Sequence, residues 1–320
     1  GGNAGTMLTI MSGLIDNISG YDPTTISAPY LTFGNNAVNG CEGIVYTYGW
    51  AGSSGRTEIS SVIKDNGANA VSLTIAGQGP TILKAANTYS GPTTVNSGTL
   101  RIDAGHNRLP TNTTVAIYSS GVFDLYGRTQ AVAGVTGSGL ITNTSGTLAT
   151  LILNMASNLT YSGSIAGNVN VIKNGAGTLT MTGGVLNCSG SLTVNEGTLA
   201  YDARATNGNF SSIAVRSGAT LGVLGGTLNA ANATFDNGAT LSVTLTGTNV
   251  TDAGMLRVSG SLALDGGARL AVRTAPGVTP LNGQSWFVVE APAIATIPRP
   301  SYGYMVQLEP GSPNRLRLRV

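Results

Sequence analysis

A short unit, in which glycine and a small polar residue precede leucine, any residue and an apolar residue, recurs along this chain and limits its fold more than any other feature. It reads GTLRI at 98–102, GTLTM at 177–181, GSLTV at 190–194, GTLAY at 197–201 and GATLSV at 238–243. GMLRV at 254–258, GSLAL at 260–264 and GARLAV at 267–272 continue the series. Each unit alternates with period two, so Leu and Val or Ile face one side while Thr, Ser, Arg or Ala face the other. The glycine supplies the positive φ of a tight corner. These are short strands separated by corners.

The spacing of the leucines says how the strands stack. Leu192 and Leu199 are 7 apart, as are Leu221 and Leu228, whereas Leu199 and Leu221 are 22 apart. Legs of about seven residues suit the sides of a coil, and 22 residues is about one full turn of such a coil. Each strand then pairs in parallel with its equivalent one turn later. The expectation is an all-β solenoid, a parallel β-helix of roughly 20 to 25 residues per turn, with Leu, Ile and Val stacked inside. Leu100, Ile102, Leu179, Met181, Leu192, Val194, Leu199, Leu221, Leu241 and Val243 are expected to face inward. At one strand spacing of about 4.8 Å per turn, 320 residues would give a rod about 60 to 75 Å long.

Composition narrows the function classes. Charged residues are 9% of the chain and glycine is 46 of 320, yet 41% is hydrophobic and the net charge is +2, which excludes a disordered polyelectrolyte. One histidine, His106, and 14 acidic residues leave little material for acid–base or metal chemistry, and the balance of charge gives no basic footprint for nucleic acid. No cofactor or metal is expected. The chain opens in mid-pattern, as an excised or mature segment would.

Two stretches carry a resemblance. GPTILKAANTYSGPTTVNSGTLRI at 79–102 and GAGTLTMTGGVLNCSGSLTVNEGTLAY at 175–201 are similar to the repeat of bacterial autotransporter passenger regions, which runs roughly G-x-G-T-L-x-L-x-G-x-N-x-Y-x-G-x-T-x-V-x-x-G-T-L. Gly91, Thr94, Val95, Asn96, Gly98, Thr99 and Leu100 match Gly190, Thr193, Val194, Asn195, Gly197, Thr198 and Leu199 at a constant offset of 99. The second copy lacks the Asn-x-Tyr signature and has Leu186-Asn187-Cys188 there. The resemblance implies a right-handed parallel β-helix that is exported and is displayed on, or released from, a bacterial surface. Residues 281–320 show no run of lipid-facing alternation with aromatic girdles, so direct membrane insertion is not expected.

Three regions follow. Residues 1–58 fit the repeat less well and are read as an irregular N-terminal cap or atypical first turns; residues 59–274 are the β-helix repeats; residues 275–320, with seven prolines, are read as a C-terminal capping or assembly segment. The aromatic Tyr46, Tyr48 and Trp50 are candidates for a ligand or assembly surface. So is the last strand, where Arg315, Arg317 and Arg319 would share one face and Leu316, Leu318 and Val320 the other. The arginine row suits an anionic glycan or a partner's carboxylates, or else protects an edge by charge.

Two functions are open on these grounds. The first is a non-enzymatic extracellular structural or adhesive protein whose copies associate end to end into a filament, with a surface glycan as a further partner. The alternative is a carbohydrate-active β-helix enzyme, which would need clustered carboxylates. Asp103 and Asp124 are 21 residues apart and could lie one turn apart, both pointing outward, with Arg101 pairing Asp124 at the surface. His106 lies in a turn sequence and is read as solvated. Cys41 and Cys188 are 147 residues apart and are not expected to bridge.

Overall fold

The structure, a computed structural model, describes residues 5–19, 21–34, 41–49, 55–309, 311 and 313–320, and of 204–207 the backbone alone. Every regular element among them is a strand. The chain divides into two compact units, 1–154 and 155–320. Each is a parallel β-helix.

In the first unit the coil has three sides. Leu14–Asn17, Cys41–Thr47, Val71–Gly77, the start of Thr93–Ile102, the start of Thr114–Asp124 and Gly134–Gly137 pair in parallel as one ladder. Pro23–Ile26, Arg56–Ile59, Pro80–Leu83, the ends of Thr93–Ile102 and Thr114–Asp124, and Leu140–Thr142 form the second. The third begins with Met7–Ile10, Tyr30–Phe33 and Val62–Ile63 and ends with Thr129–Val132 on Ala149–Asn154. Leu14 pairs Ile44 and Ile44 pairs Thr74, thirty residues per turn; Thr74 then pairs Thr94, twenty residues on. The first turns are thus longer than the expected 20 to 25 residues, and they pair in parallel like the rest.

The second unit repeats the plan. Leu159–Tyr161, Thr178–Thr182, Thr198–Val215, Thr220–Phe235, Thr240–Leu245 and Arg269–Thr274 are joined by parallel pairing at their starts. Leu199 pairs Leu221, the 22-residue step read from the sequence. Identical or similar side chains therefore stack along the interior, as in Leu159, Leu179, Leu199, Leu221, Leu241 and Leu270. All ten residues expected to face inward are at most 2% exposed. Each fully buried leucine removes apolar surface worth about 1.5–3 kcal/mol from water, and this stacking, repeated at every rung, is what stabilises so glycine-rich a chain.

Parallel pairing stops near the C-terminal end. Ser285–Ala291 pairs in parallel with Met255–Val258 on one side and antiparallel with Asn314–Arg319 on the other, and Met305–Glu309 closes the hairpin. Trp286, fully buried, anchors this end and donates from Nε1 to the Gly247 carbonyl at 3.0 Å.

Candidate functional site

The residues of the repeat motif turn out to hold successive coils together. Asn87, 5% exposed, accepts the Ile63 amide on Oδ1 at 2.7 Å and donates from Nδ2 to the Arg108 carbonyl at 2.7 Å, so it ties its own coil to the one before and the one after. Tyr89 is buried, its hydroxyl 2.6 Å from Thr93 Oγ1, and Thr93 in turn contacts Thr113 at 3.2 Å. Burial raises the Tyr89 pKa, the Thr93 hydrogen bond opposing this. In the second copy Cys188 takes the place of Tyr89. It is buried, donates its thiol proton to the Ile165 carbonyl at 3.4 Å, and burial pushes its pKa up to about 12. Tyr201, one turn on, covers the same corner: its hydroxyl accepts the Leu186 amide at 3.3 Å and donates to the Gly184 carbonyl at 3.2 Å. The missing Asn-x-Tyr is thus replaced from a neighbouring coil, and the turn keeps its pairing with Ser164–Gly167.

The two carboxylates do not face one another. Register sets Arg101, not Asp103, opposite Asp124. Asp124 does not point outward as expected. It is fully buried at the corner, where it accepts Arg101 Nε at 2.9 Å, Thr144 Oγ1 at 2.6 Å and the amides of Tyr126 and Thr144 at 3.0 Å each. An aspartate at a strand's end folds back on an amide of its own turn, here Tyr126, and Asp124 also takes the Thr144 amide and hydroxyl from the next coil, which is why strict alternation misplaced it. Asp103 pairs with Arg128 at 2.9 Å. Burial would raise its pKa, but Arg128 and the Ala104 amide outweigh this and hold it below the usual value. His106 is exposed, and its Nδ1 accepts the Thr129 amide at 2.9 Å.

The C-terminal strand is also placed differently. Leu316 and Leu318 are fully buried and pair with Val289 and Trp286, and Val320 is half-buried, so no apolar face is left open there. An antiparallel neighbour on each side turned an expected surface into core. Arg315, Glu290 and Arg257 stand opposite one another on three adjacent strands, with Glu290 reaching Arg257 at 3.0 Å and Arg315 at 3.2 Å. Arg317 pairs with Glu309 at 3.0 Å. Both Arg315 and Arg317 stack over Phe287, 5.0 and 4.7 Å from its centroid. Two of the three arginines are therefore engaged in joining the hairpin to the coil, and Arg319 is exposed.

Tyr46 and Tyr48 are half-exposed on the outer face of Cys41–Thr47 and its continuation, beside Leu14, Ile18 and Ile44. Trp50 lies outside the described residues. Sequence reading missed Lys173, which points inward and is fully buried. Its Nζ donates to the carbonyls of Asn174 at 3.0 Å, Gly175 at 2.7 Å and Glu196 at 3.2 Å, and burial lowers its pKa while Glu196 opposes the shift. The signal was available: in Val169-x-Val171-x-Lys173 the alternation aims the lysine inside. Among the described residues no three of His, Cys, Asp and Glu come together as metal ligands would.

Comparison with known proteins agrees with this geometry. Over 144 residues, 44% of the chain, the sequence is 31% identical to the Adhesin BmaC autotransporter of Brucella suis biovar 1 (strain 1330). The aligned stretch covers 4% of that adhesin, so the chain spans a small part of the relative it matches. The passenger-associated-transport-repeat model matches residues 73–102 and 171–200. The chain carries two passenger-associated-transport repeats, each built into the wall of a parallel β-helix.

Proposed function

We propose that this chain is a non-enzymatic adhesive segment of a protein displayed on, or released from, a bacterial surface. The observation that carries the reading is the use made of its polar residues. Asn87, Asp103, Asp124, Lys173, Glu290 and the arginines beside them are engaged in joining coil to coil or hairpin to coil. A glycan-cleaving β-helix needs two carboxylates poised across a groove, and the candidate pair here is held by Arg101 and Arg128. The passenger repeats and the adhesin relative support surface display. Beads coated with the purified chain are expected to attach to epithelial cells or matrix-coated surfaces more than albumin-coated beads. Release of reducing ends from a panel of polysaccharides would overturn the reading.

Self-association is the second reading, favoured by an apolar strip on the outer face where Leu14, Ile18, Ile44, Tyr46 and Tyr48 stand together. Contiguous exposed apolar surface of this kind suits a contact between copies. Concentration-dependent sedimentation that Leu14→Lys abolishes is the expected result; a monomer at every concentration would count against it.

A further inference from the structure

We infer that the outer groove between Tyr46 and Tyr118 binds a neutral, extended oligosaccharide; this rests on the adhesive reading and adds to it a site and a ligand class.

The groove exists because the corners beneath it cannot carry side chains. Gly77 has φ 103°, and a Cβ there would lie 2.1 Å from the Thr47 carbonyl oxygen; Gly98 has φ 70°, and a Cβ would lie 2.8 Å from that of Gly79. An open channel of about 580 Å³ results, lined by Tyr46, Gln78, Ser97, Thr99, Ser120 and Val122. Ser97 Oγ accepts the Gly77 amide at 3.0 Å, which fixes the hydroxyl at the channel wall.

Tyr46 lines this channel, and Tyr118 flanks it two residues before Ser120. Val45, Ile75, Val95 and Ile117 form one inward ladder. The residue after each is Tyr46, Ala76, Asn96 and Tyr118; Tyr46 pairs Ala76, the register shifts by one residue after Val95, and the two exposed tyrosines each follow a member of this ladder three rungs apart. Three rungs span about 14 Å at roughly 4.8 Å per strand. An extended chain of pyranose rings advances by nearly one strand spacing per sugar, so about three sugars fit between the tyrosines. Aromatic faces take the apolar C–H faces of sugar rings, while amides and hydroxyls take the sugar hydroxyls. Charge agrees: among the described residues the channel's lining has no ionisable group besides tyrosine, and Asp16 beside Tyr46 is the one charged side chain in the adjoining apolar stretch. Among the described residues such a surface offers no cation to pair with an anionic polymer.

The test is calorimetric titration of the whole chain with three linear hexasaccharides, of β-1,4-linked N-acetylglucosamine, of β-1,4-linked glucose and of galacturonate. Saturable binding of a neutral hexamer is expected, weakened at least tenfold by Tyr46→Ala and by Tyr118→Ala, retained by Tyr46→Phe and unchanged by Tyr302→Ala, a fully exposed tyrosine elsewhere. Circular dichroism of each variant confirms folding. Binding of neither neutral hexamer, tighter binding of galacturonate, or binding indifferent to Tyr46 and Tyr118 would overturn the proposal. The bead assay separates the two readings: attachment that persists in Tyr46→Ala and Tyr118→Ala chains overturns the glycan site alone, whereas wild-type beads that do not attach overturn the adhesive function beneath it.

Discussion

Single residues decide the corners of this fold more than its sides. Asp124 holds two amides, a hydroxyl and a guanidinium at once, and no isosteric apolar group could hold any of them. Asp124→Ala should lower stability by about 2–4 kcal/mol, because it leaves Arg101 and buried amides without their acceptor. The shift of the urea midpoint measures this, and a change below about 0.5 kcal/mol would mean the corner is solvated. On the sides the currency is apolar stacking. Leu192 lies between Val171 and Ile213 on a ladder with no exposed member, so Leu192→Asp, a buried carboxylate without a partner, should yield no folded protein on expression. Lys173 shows the two kinds of position meeting: its stem follows the interior ladder and its ammonium serves three carbonyls at the turn.

At the scale of elements, strands are matched by register and locked by outward polar pairs. In the first unit Glu58 is paired with Lys84 and Arg56, which lower its pKa against the cost of burial. Burial would raise the pKa of Asp65, but the Val71 and Ser90 amides outweigh it, and the pKa is lowered as it is at Asp103. A carboxylate whose folded pKa is depressed contributes stability above its unfolded pKa and loses it as pH falls through the folded value. Resistance to urea should therefore hold down to about pH 5 and decline below the ordinary values of 4.5 for Glu58 and 3.8 for the aspartates. A stability flat from pH 5 to pH 2 would contradict these pairings. The C-terminal hairpin is an element of the other kind, antiparallel and held by the Arg257, Glu290 and Arg315 row. Glu290→Gln should speed amide exchange in 314–319 while the parallel ladders stay protected. Deleting Asn314–Val320 removes Leu316 and Leu318 from the core around Trp286, so that deletion tests the hairpin's stability rather than an assembly surface.

For the molecule as a whole, each unit is a stack in which every coil contacts its neighbours, so stability accumulates turn by turn. The two cysteines sit inside that stack, Cys41 in one unit and Cys188 in the other, both as free thiols. Native protein should therefore show two free thiols by mass under non-reducing conditions, with alkylation slow until the chain is unfolded; a species two mass units lighter, without free thiols, would contradict the fold.

The sequence by itself determined the strands, most of their inward faces and the turn length between Leu73 and Val243, because period-two alternation and glycine corners are local properties that recur every 20 to 22 residues there, whereas the last coil of the repeat region, Leu241 to Leu270, takes 29. The lysine inside the second unit was legible on the same grounds. What tertiary structure decided is everything that depends on a neighbour distant in sequence. The first turns, thirty residues long, hide their period but pair like the others. Asp124 is buried because Arg101 and Thr144 arrive from adjacent coils, and Tyr201 replaces a missing motif tyrosine from the next turn. Leu316 and Leu318 are core because strands flank both sides of theirs, and Tyr46 and Tyr118 come to one side of the coil because each follows a member of the Val45, Ile75, Val95 and Ile117 ladder. Alternation fixes which way a side chain leaves its own strand; what it meets there is set by register, which only the folded coil supplies.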